Sequence, residues 1–146
     1  MSRKRILVVD DEVDIVNLVR LILEDAGYEV QASVSGVEAL DKLRNEQFDL
    51  VLLDVMMPTF TGWDVLRELR RQSKTKEVPV ALLTARASPR DDNRQHPSEF
   101  CDYIPKPFGA EDLVSRIEEI LGRQRGNPGT GNAEPGAKAQ RRKRRR

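Results

Sequence analysis

Five short apolar runs set the strongest limit on how this chain can fold. Three are rich in Val, Leu and Ile and cover residues 6–9, 50–53 and 78–83, and two weaker runs cover residues 28–34 and 100–104. Continuous apolar runs of this length, bounded by charged residues, are typical of strands covered on both faces, as in a parallel sheet. The sequence therefore predicts a core of five strands.

The segments between these runs have the apolar spacing of helices. The first is apolar on one face, at intervals of three and four residues: Ile15, Leu18, Val19, Ile22 and Ala26. Gly27 follows as a helix stop, and Ser35 with Glu38 forms a capping box before the second helical segment. Strands that alternate with helices favour right-handed crossovers, so the sequence predicts an α/β domain with a doubly wound parallel sheet and helices on both faces.

Charge divides the chain into two parts. Of its 25 basic and 24 acidic residues, residues 122–146 contain nine basic residues but only one acid, Glu134. The same segment is rich in Gly, Pro and Asn and has almost no apolar bulk, so burial cannot offset the entropy lost on ordering it. We predict one folded, acidic domain over residues 1–121 and a disordered basic tail over residues 122–146.

Composition also limits where the chain works. No apolar stretch approaches the roughly 20 residues of a membrane span. The basic start, Arg3-Lys4-Arg5, precedes an apolar run of only four residues, which is too short for an export signal. Cys101 is the only cysteine, so no internal disulfide can form, and we interpret it as a small buried hydrophobe. These features predict a cytoplasmic protein that does not span a membrane.

Polar residues follow the apolar runs at the positions where a site is expected. Ligands of open parallel sheets bind outside the carboxyl ends of the strands, and here those ends carry Asp10, Asp11, Asp54, Thr84 and Lys106. Three carboxylates brought together repel one another unless a hard cation such as Mg²⁺ neutralises them. The carboxylate of Asp54 could then attack a phosphoryl group, with Lys106 and Thr84 contacting its oxygens. Asp10 and Asp11 also fit a helix N-terminus, but that interpretation leaves Asp54 and Lys106 unexplained.

Four sequence blocks resemble the signature of two-component receiver domains, the response-regulator modules with the fold of chemotaxis regulators. They are Ile6-Leu7-Val8-Val9-Asp10-Asp11-Glu12, Leu53-Asp54-Val55-Met56-Met57-Pro58, Thr84-Ala85-Arg86 and Lys106-Pro107-Phe108. The resemblance extends from residue 4 to about residue 121. It implies a flavodoxin-like sheet in the strand order 2-1-3-4-5.

The resemblance also implies roles for individual residues. Asp54 would be the phosphoacceptor, and Asp11 would bind Mg²⁺ directly, Asp10 mainly through water, with the backbone carbonyl of Met56 as a further ligand. Thr84 and Tyr103 would be a switch pair, in which the ring turns inward when Thr84 moves to the phosphoryl group. The Lys106–Pro107 bond would be cis. The implied partners are a sensor histidine kinase or phosphotransfer protein and a downstream protein whose binding is switched.

Other functions were weighed against this one. A phosphatase of the haloacid dehalogenase type needs a second Asp two residues after the first, where this sequence has Met56. Neither G-x-G-x-x-G nor G-x-x-x-x-G-K occurs. We therefore expect no enzyme activity beyond phosphorylation of the chain itself and loss of that group. His96 is the only histidine and is read as a solvated loop residue, so the phosphoryl donor must be a separate molecule.

Two parts of the chain leave alternatives open. The basic residues in 138–146 could bind nucleic acid, an anionic membrane surface or the acidic domain itself, with the receiver as regulator. Residues 88–98 occupy the position of the family's fourth helix, yet they contain two prolines and no aliphatic or aromatic residue. Because short helices depend on packing, we predict that this fourth helix is weak or irregular.

Overall fold

A computed structural model of the protein describes residues 3–85 and 102–126. Strands and helices alternate along these ranges: β1 (Arg5–Val9), α1 (Val13–Asp25), β2 (Glu29–Ser33), α2 (Gly36–Asn45), β3 (Leu50–Asp54), α3 (Gly62–Arg71), β4 (Val80–Thr84), β5 (Asp102–Pro105) and α4 (Ala110–Gly126). All neighbouring strands are parallel, in the order β2-β1-β3-β4-β5. The predicted five-stranded, doubly wound sheet and its strand order are confirmed.

Each face of the sheet carries its own apolar layer. Side chains of a strand point alternately to its two faces, so β1 contributes Ile6 and Val8 to one layer and Leu7 and Val9 to the other. Helices α1 and α4 cover the first layer, and α2 and α3 cover the second. Every residue of β3 and β4 is buried. The central strands are therefore fixed from both sides, and their carboxyl ends have little freedom to move.

The helix starts match the sequence in part. The hydroxyl of Ser35 accepts the N–H of Glu38 at 3.2 Å, as predicted. The carboxylate of Glu38, however, accepts the N–H of Val34 at 3.2 Å rather than that of Ser35. A fully reciprocal capping box, which the sequence reading missed, begins α3: the side chains of Thr61 and Asp64 each accept the backbone N–H of the other residue.

The C-terminal helix crosses the domain boundary that the sequence suggested at residue 121. Leu121 is its last buried apolar residue, but α4 continues to Gly126, so the predicted start of the tail at Gly122 lies inside a helix. After Gly122, the chain continues with Arg123-Gln124-Arg125, which are good helix formers. Extending a helix that has already formed costs less than starting one, so these residues need no apolar face to continue it. The rest of the predicted tail lies outside the described residues, as do residues 88–98, Arg86, His96 and Cys101.

Each edge strand of the sheet receives an arginine from the helix beside it. In β2, the backbone carbonyl of Val30 accepts a hydrogen bond from Nη2 of Arg20 in α1 at 3.4 Å. In β5, the carbonyl of Tyr103 accepts one from Nη1 of Arg116 in α4 at 2.9 Å. One backbone acceptor on each edge is therefore occupied from within the chain.

Within the two described ranges, no helix is both long enough and apolar enough to cross a membrane.

The first turn of α3 lies directly against the end of β3. The N–H of Gly62 donates to the carbonyl of Val55 at 3.1 Å. A Cβ atom at position 62 would lie 2.7 Å from the Cα of Val55 and even closer to the carbonyl oxygen of Asp54. These are backbone atoms, which cannot turn away as a flexible side chain would. The close approach therefore requires glycine and fixes the backbone of Asp54 against α3.

Replacing Gly62 by Ala should force α3 away from β3 and lower the free energy of unfolding by about 1–3 kcal/mol, the usual cost of an extra methyl group in a packed region. The matched control is Gly122→Ala in α4, where the added Cβ meets no described atom within 4 Å. Ala is the better helix former, so the control should be neutral or up to about 1 kcal/mol more stable. Urea unfolding measures both, and equal destabilisation would contradict the special constraint at position 62.

Candidate functional site

The carboxyl ends of β1 and β3 bring two buried acids side by side. Val9, the last residue of β1, aligns with Leu53 in β3, so Asp10 and Asp54 follow at neighbouring positions. Their exposed fractions are only 0% and 3%. Because the strand ends are held by the two apolar layers, the carboxylates cannot move apart or turn fully into solvent. The fold itself therefore forces them together.

A third carboxylate completes an acidic cluster. Asp10, Asp11 and Asp54 each offer one carboxylate oxygen, and these oxygens lie within 4.8 Å of one another. Asp11 is exposed and faces solvent at the mouth of the site. Among the described residues, no donor makes a well-aligned hydrogen bond to Oδ2 of the buried Asp10. An all-oxygen set with such an acceptor fits a hard cation of the Mg²⁺ type.

Lys106 supplies positive charge to the cluster. Its Nζ lies 2.8 Å from Oδ2 of Asp10 and 3.8 Å from Oδ2 of Asp54, and it donates a hydrogen bond to Oε1 of Glu12 at 3.0 Å. Its backbone N–H donates to the carbonyl of Thr84 at 2.9 Å, which attaches it to the end of β4. The Lys106–Pro107 peptide bond is cis, as the family resemblance implied. The ammonium is thus shared among three carboxylates.

The excess of negative charge changes the acidity of the site. Burial, together with the charge of Asp10, raises the pKa of Asp54 to about 6. The backbone N–H of Met56, which donates to Oδ1 of Asp54 at 3.1 Å, and the charge of Lys106 oppose this rise. Burial alone would lower the pKa of Lys106, but its contacts with Asp10 and Glu12 outweigh burial, so that pKa is raised. Lys106 therefore stays an ammonium, while Asp54 is held as a carboxylate only at a cost.

The remaining predicted residues lie around this cluster. Thr84 is buried at the last position of β4, the strand beside β3. Tyr103 lies one strand further out, in β5, where it is half-buried and aligned with Leu82 of β4. Met56 follows β3 and exposes 55% of its surface. The sheet thus brings Thr84 next to the acidic cluster and Tyr103 to the strand beyond it.

Glu12 contacts the site, although the sequence reading gave it no role. It is the N-cap of α1; its N–H donates to Oδ1 of Asp10 at 3.0 Å, and its carboxylate accepts from Lys106. The available signal was its position as the third acid of the run Asp10-Asp11-Glu12. Spacing alone does not show that a residue after β1 reaches one after β5.

The sequence comparisons agree with this architecture. Residues 6–118 match the family described as the response regulator receiver domain. The chain is 42% identical over 119 residues to the transcriptional regulatory protein CpxR homolog of Haemophilus influenzae, covering 82% of this chain and 51% of that protein. It is 39% identical over 119 residues to the DNA-binding dual master transcriptional regulator RpaA of Synechocystis, covering 82% of this chain and 49% of that one. The chain spans about half the length of these relatives.

Two solved structures of response regulators are covered almost completely. The chemotaxis response regulator CheY4 of Vibrio cholerae is 34% identical and superposes with a TM-score of 0.77, covering 82% of this chain and 99% of that one. The response regulator TrrA of Thermotoga maritima, solved in complex with Mg²⁺ and BeF, is 37% identical with a TM-score of 0.72, covering 80% and 98% of the two chains.

The match over residues 6–118, the strand order and the acids gathered at the strand ends lead to one assignment. The chain belongs to the response regulator receiver domain family, the phosphoacceptor modules of two-component systems.

Proposed function

We propose that Asp54 accepts a phosphoryl group from a phosphohistidine on a separate sensor kinase or phosphotransfer protein, and that this switches the binding of a downstream partner. The observation that carries the proposal is the setting of its carboxylate. It is buried at the end of β3, close to the carboxylates of Asp10 and Asp11 and 3.8 Å from Nζ of Lys106. Phosphoryl transfer needs this kind of positioning and charge balance more than it needs covalent help.

The proposed reaction is a single transfer. A carboxylate oxygen of Asp54 attacks phosphorus, the bond from phosphorus to the imidazole nitrogen breaks, and its electron pair stays on that nitrogen. The Met56 N–H holds Oδ1 of Asp54, so the orientation of the carboxylate is fixed before the donor arrives. Lys106 lies 3.8 Å from Oδ2 and would exchange a carboxylate contact for a phosphoryl oxygen. Thr84, buried on the adjacent strand, would donate its hydroxyl to another.

The acidic cluster would hold Mg²⁺ through Asp11, Asp54 and the backbone carbonyl of Met56, with Asp10 acting mainly through water. Bound Mg²⁺ supplies positive charge that offsets both the carboxylates and the incoming phosphoryl oxygens. The gathering of three carboxylate oxygens within 4.8 Å of one another supports this assignment. Support also comes from a receiver domain of the sensor histidine kinase PA1611 of Pseudomonas aeruginosa, 27% identical with a TM-score of 0.76, which was solved with magnesium in its active-site cleft.

The output would use Thr84 and Tyr103 as a switch pair. Their positions on neighbouring strands support this, since Thr84 ends β4 and Tyr103 of β5 aligns with Leu82, two residues before Thr84. The chain would act on no substrate besides its own phosphoryl group. The alternative function, binding of nucleic acid or an anionic surface through residues 138–146, has no support from the comparisons, since the family match ends at residue 118. The cytoplasmic location stays a prediction from sequence.

Asp54→Asn should abolish phosphoryl uptake, because the amide oxygen is a far weaker nucleophile than the carboxylate. Asp41→Asn, an exposed acid on α2, is the matched control and should be phosphorylated like the unchanged protein. Intact-protein mass spectrometry after incubation with acetyl phosphate and Mg²⁺ measures both. Uptake by Asp54→Asn at the stoichiometry of the control would refute the assignment.

Mg²⁺ should raise the melting temperature, because it binds only where the fold gathers the carboxylates. At about 100 times the dissociation constant, the expected stabilisation is roughly 2.7 kcal/mol. Asp11→Ala removes a ligand and should show a smaller rise, whereas Asp14→Ala, another exposed acid close by on α1, should show the full rise. Calorimetry with and without Mg²⁺ compares the three proteins, and equal shifts in all of them would contradict the role of Asp11.

Without divalent metal, the stability should fall as pH rises through the titration of Asp54. Its ordinary pKa is 3.8 and its folded pKa is about 6, so the folded state binds the proton more tightly than the unfolded state. Below pH 4 both states are protonated and the group costs nothing; above pH 6 the folded state must hold the ionised carboxylate. The loss is roughly 3 kcal/mol, because the pKa differs by about 2 units and each unit corresponds to 1.36 kcal/mol.

Asp54→Asn is neutral at every pH and provides the comparison. In EDTA it should unfold at higher urea than the unchanged protein at pH 7.5, and the two should converge near pH 4. Asp41→Asn should show no such pH-dependent gap. A gap between Asp54→Asn and the unchanged protein that stays constant from pH 4 to 7.5 would show that burial of Asp54 is not its source.

A further inference from the structure

An apolar groove of about 690 Å³ lies between α1 and α4, away from the acidic cluster. Its floor contains Ile22 and Val114, which are half-buried and pack against the core. Leu21 stands at its edge with 66% of its surface exposed. No described residue covers this surface, so a segment that packed there would remove apolar area from water.

The rim of the groove is acidic. Asp25, Glu111 and Glu118 line it and are exposed, and none of the residues lining it is a Lys or Arg. Among the side chains described in residues 3–85 and 102–122, these three carboxylates have no ion-pair partner. Two other acids on the same helices do have ion-pair partners. Glu24 lies 3.6 Å from Arg20, and Asp112 lies 3.3 Å from Arg116. The groove thus combines apolar surface with negative charge that is left unbalanced.

We propose that the groove binds residues 138–146 of this same chain. That segment contains Lys138 and six consecutive basic residues, Arg141 to Arg146. Long basic side chains suit such a surface, because their methylene stems pack on apolar atoms while their charged ends reach carboxylates at the rim. The six charges exceed the three carboxylates of the rim, and no Lys or Arg lines the groove to compete for them. Phosphate-bearing partners would be repelled by the same rim.

The length of the chain permits this contact within one molecule. The groove is lined in part by α4, the helix from which the tail continues. Gly126, the last described residue, lies about 12 Å along the helix axis from Glu118, because the rise is 1.5 Å per residue. Residues 127–140 separate Gly126 from the basic run and can span up to about 45 Å when extended. A connection of this length gives an effective concentration on the order of millimolar, so even a weak contact would be well populated.

The proposal predicts that docking masks the basic run. A tail held in the groove is not available to nucleic acid or an anionic surface until the contact is broken, and the contact does not depend on phosphorylation of Asp54. It also covers Leu21, which otherwise exposes an apolar side chain. Salt should release the tail, because the Debye length falls from about 10 Å at 0.1 M to about 3 Å at 1 M.

The test compares full-length proteins by amide NMR. In one variant, residues 141–146 are all replaced by Gln; in a second, Asp25→Asn, Glu111→Gln and Glu118→Gln remove the charge of the rim. A third, with Asp14→Asn, Asp41→Asn and Glu77→Gln, removes the same charge from exposed acids outside the groove and is the matched control. The proposal expects shift changes in residues 21–26 and 110–118 when the tail is neutralised. The rim variant and 1 M NaCl should each remove the effect of the tail, and the control variant should keep it.

The other outcomes overturn the proposal. No shift change upon tail neutralisation would mean that the tail does not dock. Changes confined to residues around Asp10 and Asp11 would place the tail at the acidic cluster instead. Changes that weaken on dilution from millimolar to micromolar protein would indicate a second copy as the occupant. Equal loss of the effect in the rim and control variants would reduce it to general attraction between the tail and an acidic domain.

Discussion

Repulsion between the buried carboxylates of Asp10 and Asp54 is the constraint around which the site is arranged. Both side chains are almost wholly shielded from solvent, and the ammonium of Lys106 is divided between them and Glu12. Two unit charges 4 Å apart near a protein surface interact by about 4 kcal/mol. That is comparable to a large part of the 5–15 kcal/mol by which a domain is usually stable. The molecule must hold these groups together against a force that would separate them.

The apolar layers provide the opposing stabilisation. Helices on both faces of the sheet bury every residue of β3 and β4, and α3 abuts the backbone of Asp54 at Gly62. The carboxylates are therefore fixed by packing that is distant from them, whereas Lys106 depends on a hydrogen bond to the end of β4. This division explains why a ligand that brings positive charge can relieve the site without changing the fold. The incomplete balance of these charges is consistent with a site for a cation such as Mg²⁺.

The predictable parts of the structure are those that produce a repeated apolar spacing in the sequence or a sharp change from apolar to polar residues. The strand order followed from the family resemblance, and the grouping of Asp10, Asp11 and Asp54 followed from the rule that parallel strands end on one edge. Strand limits were shifted by one or two residues, as in β4, which begins at Val80 and includes Thr84. Helix ends were harder, because the sequence after Leu121 has no apolar residue to mark how far the helix continues.

Contacts between distant loops could not be predicted in this way. Lys106 reaches Glu12 across 94 positions of sequence, and neither residue carries a signal of the other. The Glu38 carboxylate accepts the N–H of Val34 rather than that of Ser35, a choice of donor that the capping pattern alone does not specify. The same holds for the arginines at the sheet edges, whose partners depend on how α1 and α4 lie on the sheet.

Those two arginines have a consequence for how the protein behaves in a crowded solution. An open sheet has two outer strands whose unpaired backbone groups can add a strand from another molecule, which is a common route to aggregation. Arg20 engages the outer strand β2 at Val30, and Arg116 engages β5 at Tyr103. Each places a bulky cation where an incoming strand would need a free carbonyl. Both arginines therefore disfavour the addition of a strand from another molecule, and association between copies would have to use side-chain surfaces instead.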